Sequence, residues 1–293
     1  MAGRAWQIYV VYSLFEIRNA MKSDSFKDKV IIVTGASSGI GLASARLFGA
    51  CGARVVMAAR RYETLIELAH SVASGPDRVL CVKADVSVEE DCRRLVEMTV
   101  EKFGGVDVLV NNAGLSMRAM FGASDIQVLR TLMDVNFWGT VHCTRYALPW
   151  LLKSKGSVVG VISVAGYSAL PARSGYSASK FAVRGFLDTL RMEHLHDGLH
   201  VLVFAPGYTS SNIRNVALDA CGRPQGETPL DESRLMSAEK CAEHLAVALL
   251  KRRDAVTLTA LGRMTVWARN RFPHLADRLT CRYIAREKDS PFI

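Results

Sequence analysis

The feature that most constrains this chain is a rhythm of short apolar runs separated by helix-like segments, sustained from Lys29 to about residue 260. The runs fall at residues 30–34, 54–59, 79–83, 107–111, 157–162, 200–204 and 255–259. They show little polar alternation, so each calls for burial on both faces, which a parallel sheet covered by helices provides. Helical spacing of apolar residues predicts helices over 40–51, 62–73, 88–103, 125–152, 176–195 and 238–250. Two of these starts have capping-box spacing, Ser87 with Glu90 and Ser124 with Gln127. Right-handed crossovers then make the expected architecture a doubly wound α/β sheet of seven parallel strands.

No linker or repeat interrupts residues 29–260, so one domain is expected there, after an apolar extension (1–28) and before a basic one (261–293). Of the net charge of +9, residues 251–293 supply +6, as ten Lys/Arg against four Asp/Glu. Charge this local, with no binding motif, argues against a nucleic-acid partner. Seven scattered cysteines without a CxxC pair read as reduced thiols in a reducing compartment, and a cytoplasmic location is expected. Residues 6–17, WQIYVVYSLFEI, are apolar but fall short of the ~20 residues a spanning helix needs. They read as a helix packed on the protein or on a partner subunit, or as an anchor at a membrane surface. In the C-terminal extension Met264, Trp267, Leu275, Leu279 and Tyr283 recur at roughly helical spacing, broken by Pro273. Arg271, Arg278, Arg282 and Arg286 fall largely on another face. The same two readings, membrane contact or packing, apply there.

Candidate chemistry clusters at the carboxyl ends of the strands. Thr34-Gly35-Ala36-Ser37-Ser38-Gly39-Ile40-Gly41 follows the first strand and opens the first helix, a context suited to a pyrophosphate cradled by backbone N–H groups. Its spacing, Gly-x3-Gly-x-Gly, also serves as an ordinary tight turn. The second strand ends in Arg60-Arg61 with no acid, which favours a ribose 2′-phosphate over a free 2′-hydroxyl, unless both arginines are only a solvated turn. Asn111-Asn112-Ala113-Gly114 ends the fourth strand, and Ser163 the fifth. Tyr176 and Lys180 stand at i, i+4 on one helix face, where a lysine cation can favour a phenolate. His194 and His196, at i, i+2, point to different faces and make a poor metal pair, and no metal site is expected.

Taken in order, TGASSGIG, NNAG, Asn136, Ser163 and Tyr176-x-x-x-Lys180 make residues 29–260 resemble the short-chain dehydrogenase/reductase family, and among its members hydroxysteroid and long-chain ketone reductases with a C-terminal extension. The resemblance implies a Rossmann fold and an NADP(H)-dependent oxidoreductase interconverting a lipophilic ketone and a secondary alcohol. It implies Tyr176 as acid/base, Lys180 as its electrostatic partner and ribose ligand, Ser163 as carbonyl ligand and Asn136 as holder of a relay water. For the cofactor it implies Gly35, Ser37, Ser38, Gly39, Ile40, Gly41, Arg60, Arg61, Asp85, Val86, Asn112, Ala113, Gly114, Pro206, Gly207 and Thr209. Ser211 stands where the family often has threonine. Residues 207–236 have the length of a lid, with Tyr208, Ile213, Val216, Ala217 and Leu218 available to wall an apolar pocket or simply to pack. The family also implies a homodimer or homotetramer formed through the two long helices. The alternative functions are a β-ketoacyl thioester reductase and a non-catalytic NADP(H)-binding scaffold.

Overall fold

The computed structural model of this chain describes residues 24–73, 75–210, 212–226, 228 and 235–292. Seven parallel strands form one sheet: β1 (Val30–Thr34), β2 (Arg54–Ala59), β3 (Val79–Lys83), β4 (Val108–Asn111), β5 (Ser157–Val161), β6 (His200–Ala205) and β7 (Ala255–Thr257). Their order is β3-β2-β1-β4-β5-β6-β7, the doubly wound arrangement expected. Every residue of β1, β4, β5 and β6 is buried, which explains the missing polar alternation.

Helices α1 (Gly39–Ala50) and α2 (Tyr62–Ala69) cover one face together with α7 (Ala238–Leu250). The opposite face is covered by α3 (Glu89–Phe103), α5 (Gly139–Ser154) and α6 (Ser174–Glu193). Strand period divides the side chains between them. Ile31 and Val33 join Phe48 in one core, whereas Ile32 joins Leu95 and Leu151 in the other. A third, smaller core gathers Met117, Leu132, Leu218 and Tyr176 beside α4 (Ile126–Leu132). The chain then turns out of the sheet into α8 (Ala260–Arg271) and α9 (Pro273–Ala285). Pro273 opens α9, a position where its missing N–H leaves no bond unmade.

The structure corrects several local expectations. Neither capping box forms. Ser87 gives its hydroxyl to the Asp85 carboxylate at 2.6 Å, a charged acceptor two residues away, and Val88 precedes α3. Ser124 donates instead to the Met120 carbonyl at 2.9 Å, and the cap of α4 is Asp125, which accepts from the Gln127 amide at 2.8 Å. The helix expected over 125–152 is two helices, because Met133–Trp138 winds as a wider π-turn between α4 and α5. The Asn136 amide group bonds both backbone groups of Leu115 from this turn, an outside partner of the kind that π-turns accommodate. α2 stops four residues early, where the Val72 amide turns back to the Ala69 carbonyl.

That early stop brings the Val72 carbonyl against α1 at Gly49, where an added Cβ would lie 1.8 Å from the carbonyl oxygen. Gly49→Ala should therefore destabilise the protein by about 1–3 kcal/mol, read as a lower urea midpoint at unchanged m value.

Candidate active site

The strand order reverses between β1 and β4, so connections leave this pair toward opposite sides and open a crevice at their carboxyl ends. Thr34 closes its floor. Its hydroxyl donates to the Val110 carbonyl (3.3 Å) and accepts from the Asn112 and Ala113 amides (3.0 Å each). The Asn112 side chain donates to the Thr34 carbonyl at 2.9 Å. Gly35 has φ +66°, and a Cβ there would meet the Ala113 Cα at 2.9 Å. At Gly41 a Cβ would lie 2.4 Å from the Gly35 carbonyl oxygen. The glycine turn and the NNAG strand end are thus interlocked. Ser38 precedes α1 without capping it through its side chain, which leaves first-turn amides for an anion.

A cavity of about 760 Å³ runs from this turn across the strand ends. Gly35, Ser37, Ser38, Gly39 and Ile40 line it, with Arg60 and Arg61 from the end of β2 and Val86 beyond β3. Arg61 donates to the Ser37 hydroxyl at 3.1 Å, so one guanidinium already leans over the turn. Asn112, Ala113, Gly114, Pro206, Gly207 and Thr209 continue the lining. Gly41 and Asp85 do not line it: Gly41 packs beneath the turn, and the Asp85 carboxylate faces Ser87. Ser211 and residues 6–17 lie outside the described residues.

Farther along, Ser163, Tyr176 and Lys180 line the cavity, with Asn136 directly behind. Lys180, in the second turn of α6, is buried and donates to the Val161 carbonyl at 3.0 Å, with Nζ 5.9 Å from the centre of the Tyr176 ring. Burial pushes its ammonium down to about 8. Gly114 admits this crowding: a Cβ there would sit 3.1 Å from Asn136 Oδ1 and 3.2 Å from Lys180 Nζ. Asn136 donates to the Leu115 carbonyl (3.0 Å) and the Ser179 hydroxyl (2.8 Å), and accepts from the Leu115 amide (2.8 Å). Ser163 lies just past β5, where its hydroxyl accepts from the Ala165 amide at 3.2 Å. The Tyr176 phenol is raised by burial, against the opposing pull of its hydrogen bond with Ser163 and of the Arg173 and Arg214 charges. The cluster presents one buried protonated phenol, one hydroxyl and one ammonium to the same space, a set suited to moving a proton at a carbonyl oxygen.

Of the loop residues, Tyr208, Ile213 and Val216 reach the cavity, whereas Ala217 and Leu218 are buried in packing. Sequence reasoning missed the far wall. Leu261, Met264, Leu279 and Tyr283, from α8 and α9, face the cavity, and Arg173 lines it three residues before Tyr176. The periodicity of the tail was visible, but nothing in it says which surface it covers. Among the described residues no group of three His, Cys, Asp or Glu could hold a metal, and His194 pairs with Asp197 at 2.6 Å. No helix among them is long and apolar enough to cross a membrane. All seven cysteines are unpaired, four of them buried.

The model of the short chain dehydrogenase family matches residues 29–221. A "11-beta-hydroxysteroid dehydrogenase A" of Sesamum indicum is 34% identical over 88% of this chain and 76% of its own length. A "Dehydrogenase/reductase SDR family member 7B" of Mus musculus is 32% identical over 96% and 89%. Among solved structures, an alcohol dehydrogenase from Thermococcus sibiricus complexed with 5-hydroxy-NADP matches with TM-score 0.67 and 25% identity, over 79% of this chain and 94% of that one. A short chain dehydrogenase/reductase from Burkholderia phymatum in complex with NAD shares the fold, with TM-score 0.75 and 24% identity over 85% and 95%. With a cleft at the strand-order reversal and a family match across it, the chain belongs to the short-chain dehydrogenase/reductase family, as a nicotinamide-dinucleotide-dependent oxidoreductase.

Proposed function

We propose that this protein is an NADP(H)-preferring reductase that interconverts a lipophilic ketone, steroid-like or long-chain, and its secondary alcohol. The observation that carries the reading is one continuous cavity joining three kinds of lining. Arg60 and Arg61 lie at its β2 end, Tyr176 and Lys180 stand beside β5, and apolar side chains of α8 and α9 form its outer wall. The hydroxysteroid dehydrogenases among the relatives support the substrate class.

The residues fit the cofactor: without a Cβ at Gly35 and Gly41 the turn packs closely on the NNAG strand end beside the open first turn of α1, and two guanidiniums line the β2 end of the cavity, available to a 2′-phosphate. The glycine turn from Gly35 to Gly41 would hold the pyrophosphate, Val86 the adenine side, and Asn112 to Gly114 the middle of the cleft. Lys180 would bind the nicotinamide ribose, and the segment Pro206 to Thr209 the carboxamide. When bound, the nicotinamide supplies or takes the hydride at the carbonyl carbon.

The protein's own part is the proton. Ser163 would donate to the substrate oxygen and stabilise developing charge there. Tyr176, a phenol whose burial raises it further above neutral pH, would give its proton to that oxygen in reduction and take it back in oxidation. Lys180 as a cation would favour the phenolate left behind, and Asn136 would hold the water that links Lys180 to solvent.

The outer faces of α8 and α9 suit a lipid surface. Trp267, Phe272 and Leu275 are exposed there among Arg271, Arg278 and Arg282. Exposed Trp138 and Phe181, next to α5 and on α6, suit self-association through those helices.

NADPH oxidation followed at 340 nm across ketones of rising size should favour the larger ones, with NADH the poorer donor. Tyr176→Phe should lose about 10²–10⁴ in kcat while still binding NADPH. A ketoacyl thioester turned over far above every free ketone would replace this reading, and cofactor binding without turnover of either would favour the scaffold. Arg60→Ala with Arg61→Ala should cost roughly tenfold or more of the NADPH preference, measured as the ratio of the two kcat/KM values.

A proton readout follows from Lys180. Its ammonium loses the proton as pH rises through about 8, and an anionic cofactor prefers the cation. NADPH affinity should be flat below that pH and fall above it, with proton uptake on binding in calorimetry. Lys180→Met should bind more weakly and lose that dependence.

A further inference from the structure

Glu287 follows α9 by two residues, and its side chain is only 2% exposed. Two guanidiniums account for a carboxylate so deep. The Ala119 amide bonds the Ala172 carbonyl at 2.9 Å, which brings the neighbouring Arg118 and Arg173 to the same place. Arg173 Nη2 donates to both Glu287 oxygens, at 3.1 and 2.8 Å, and Arg118 Nε lies 3.4 Å from Oε2. Arg118 also donates through Nη2 to the Lys288 carbonyl. Two nearly buried like charges require a counter-ion, and taking it away leaves both uncompensated.

The contact joins the tail to the catalytic helix. The Arg173 carbonyl accepts from the Ser177 amide at 2.8 Å, in the turn that carries Tyr176. At its other end the tail leaves the sheet at Thr259, which has φ +68° and whose hydroxyl accepts from the Gly262 amide to cap α8. The α8–α9 pair is thus a hairpin held at both ends across the mouth of the cavity. Leu261, Met264, Leu279 and Tyr283 line the open mouth of the cavity, each 45–64% exposed, and the Tyr283 ring lies 6.1 Å from that of Tyr208.

We propose that Glu287 is a specificity-determining positioning residue, which by pairing with Arg118 and Arg173 fastens the α8–α9 hairpin as the wall that holds the apolar bulk of the substrate. Glu287 touches none of the reacting atoms. Its effect is on which ketones are held, and the assignment rests on the reductase reading above.

The test compares wild type with Glu287→Gln, Glu287→Asp and Arg118→Gln. It measures amide hydrogen exchange over residues 273–286, the NADPH Kd, and KM and kcat for a cyclohexanone-sized and a steroid-sized ketone. Exchange in α9 should rise about tenfold or more in Glu287→Gln, since the fastened end becomes free to open locally. KM for the large ketone should rise about tenfold, while the small ketone and the NADPH Kd stay within about twofold, and Glu287→Asp should recover part of the loss. Should Glu287→Gln fail to fold, Arg118→Gln, which keeps the Arg173 pair, carries the same comparison. Unchanged exchange in α9, or an equal loss for both ketones, would overturn the proposal. A wild-type enzyme that reduces neither ketone defeats the reductase reading instead, and the exchange comparison then decides alone whether Glu287 fastens the wall.

Discussion

The cleft depends on the join between β1 and β4. Strands of a doubly wound sheet diverge in their connections there, and without a tie the two strand ends would be free to part. Thr34 supplies the tie with one hydroxyl that serves the Val110 carbonyl and the Asn112 and Ala113 amides, and Asn112 returns a bond to Thr34. The glycines at 35 and 41 then follow from packing, because the turn lies so close to this join that a Cβ would strike backbone. A nucleotide-binding crevice is what remains when the floor is fixed and the walls are kept small.

Burial does the electrostatic work beside it. Lys180 donates to a backbone carbonyl, yet its burial outweighs that bond and pushes the ammonium down to about 8. Tyr176 is shifted in the opposite sense by the same cause, and the charges of Arg173 and Arg214 partly offset it. A phenol raised and an ammonium lowered draw the two groups apart and invert their order in water, so that Tyr176 holds its proton more firmly than Lys180 does.

Much of the fold was legible because its signals are local. The seven β-branched runs identify the strands within a residue or two, and the spacing of Tyr176 and Lys180 places both on one face of α6. The misreadings share a cause, which is competition between nearby partners. Ser87 matches a capping box by spacing, yet Asp85 offers it a charged acceptor. The segment 125–152 has unbroken helical periodicity, yet the Asn136 amide group binds a backbone segment twenty-one residues earlier and the helix widens to allow it.

The sequence by itself determined the parallel sheet, the glycine turn with its pair of arginines, and the order of the residues at the strand ends. Those features rest on periodicity, backbone permissiveness and charge, which are properties of residues and their near neighbours. Only the tertiary structure decided that the basic, amphipathic tail forms the far wall of the cavity, and that one of its few acids lies between Arg118 and Arg173. An amphipathic helix records that one of its faces is apolar. Which surface covers that face depends on contacts between residues more than a hundred positions apart.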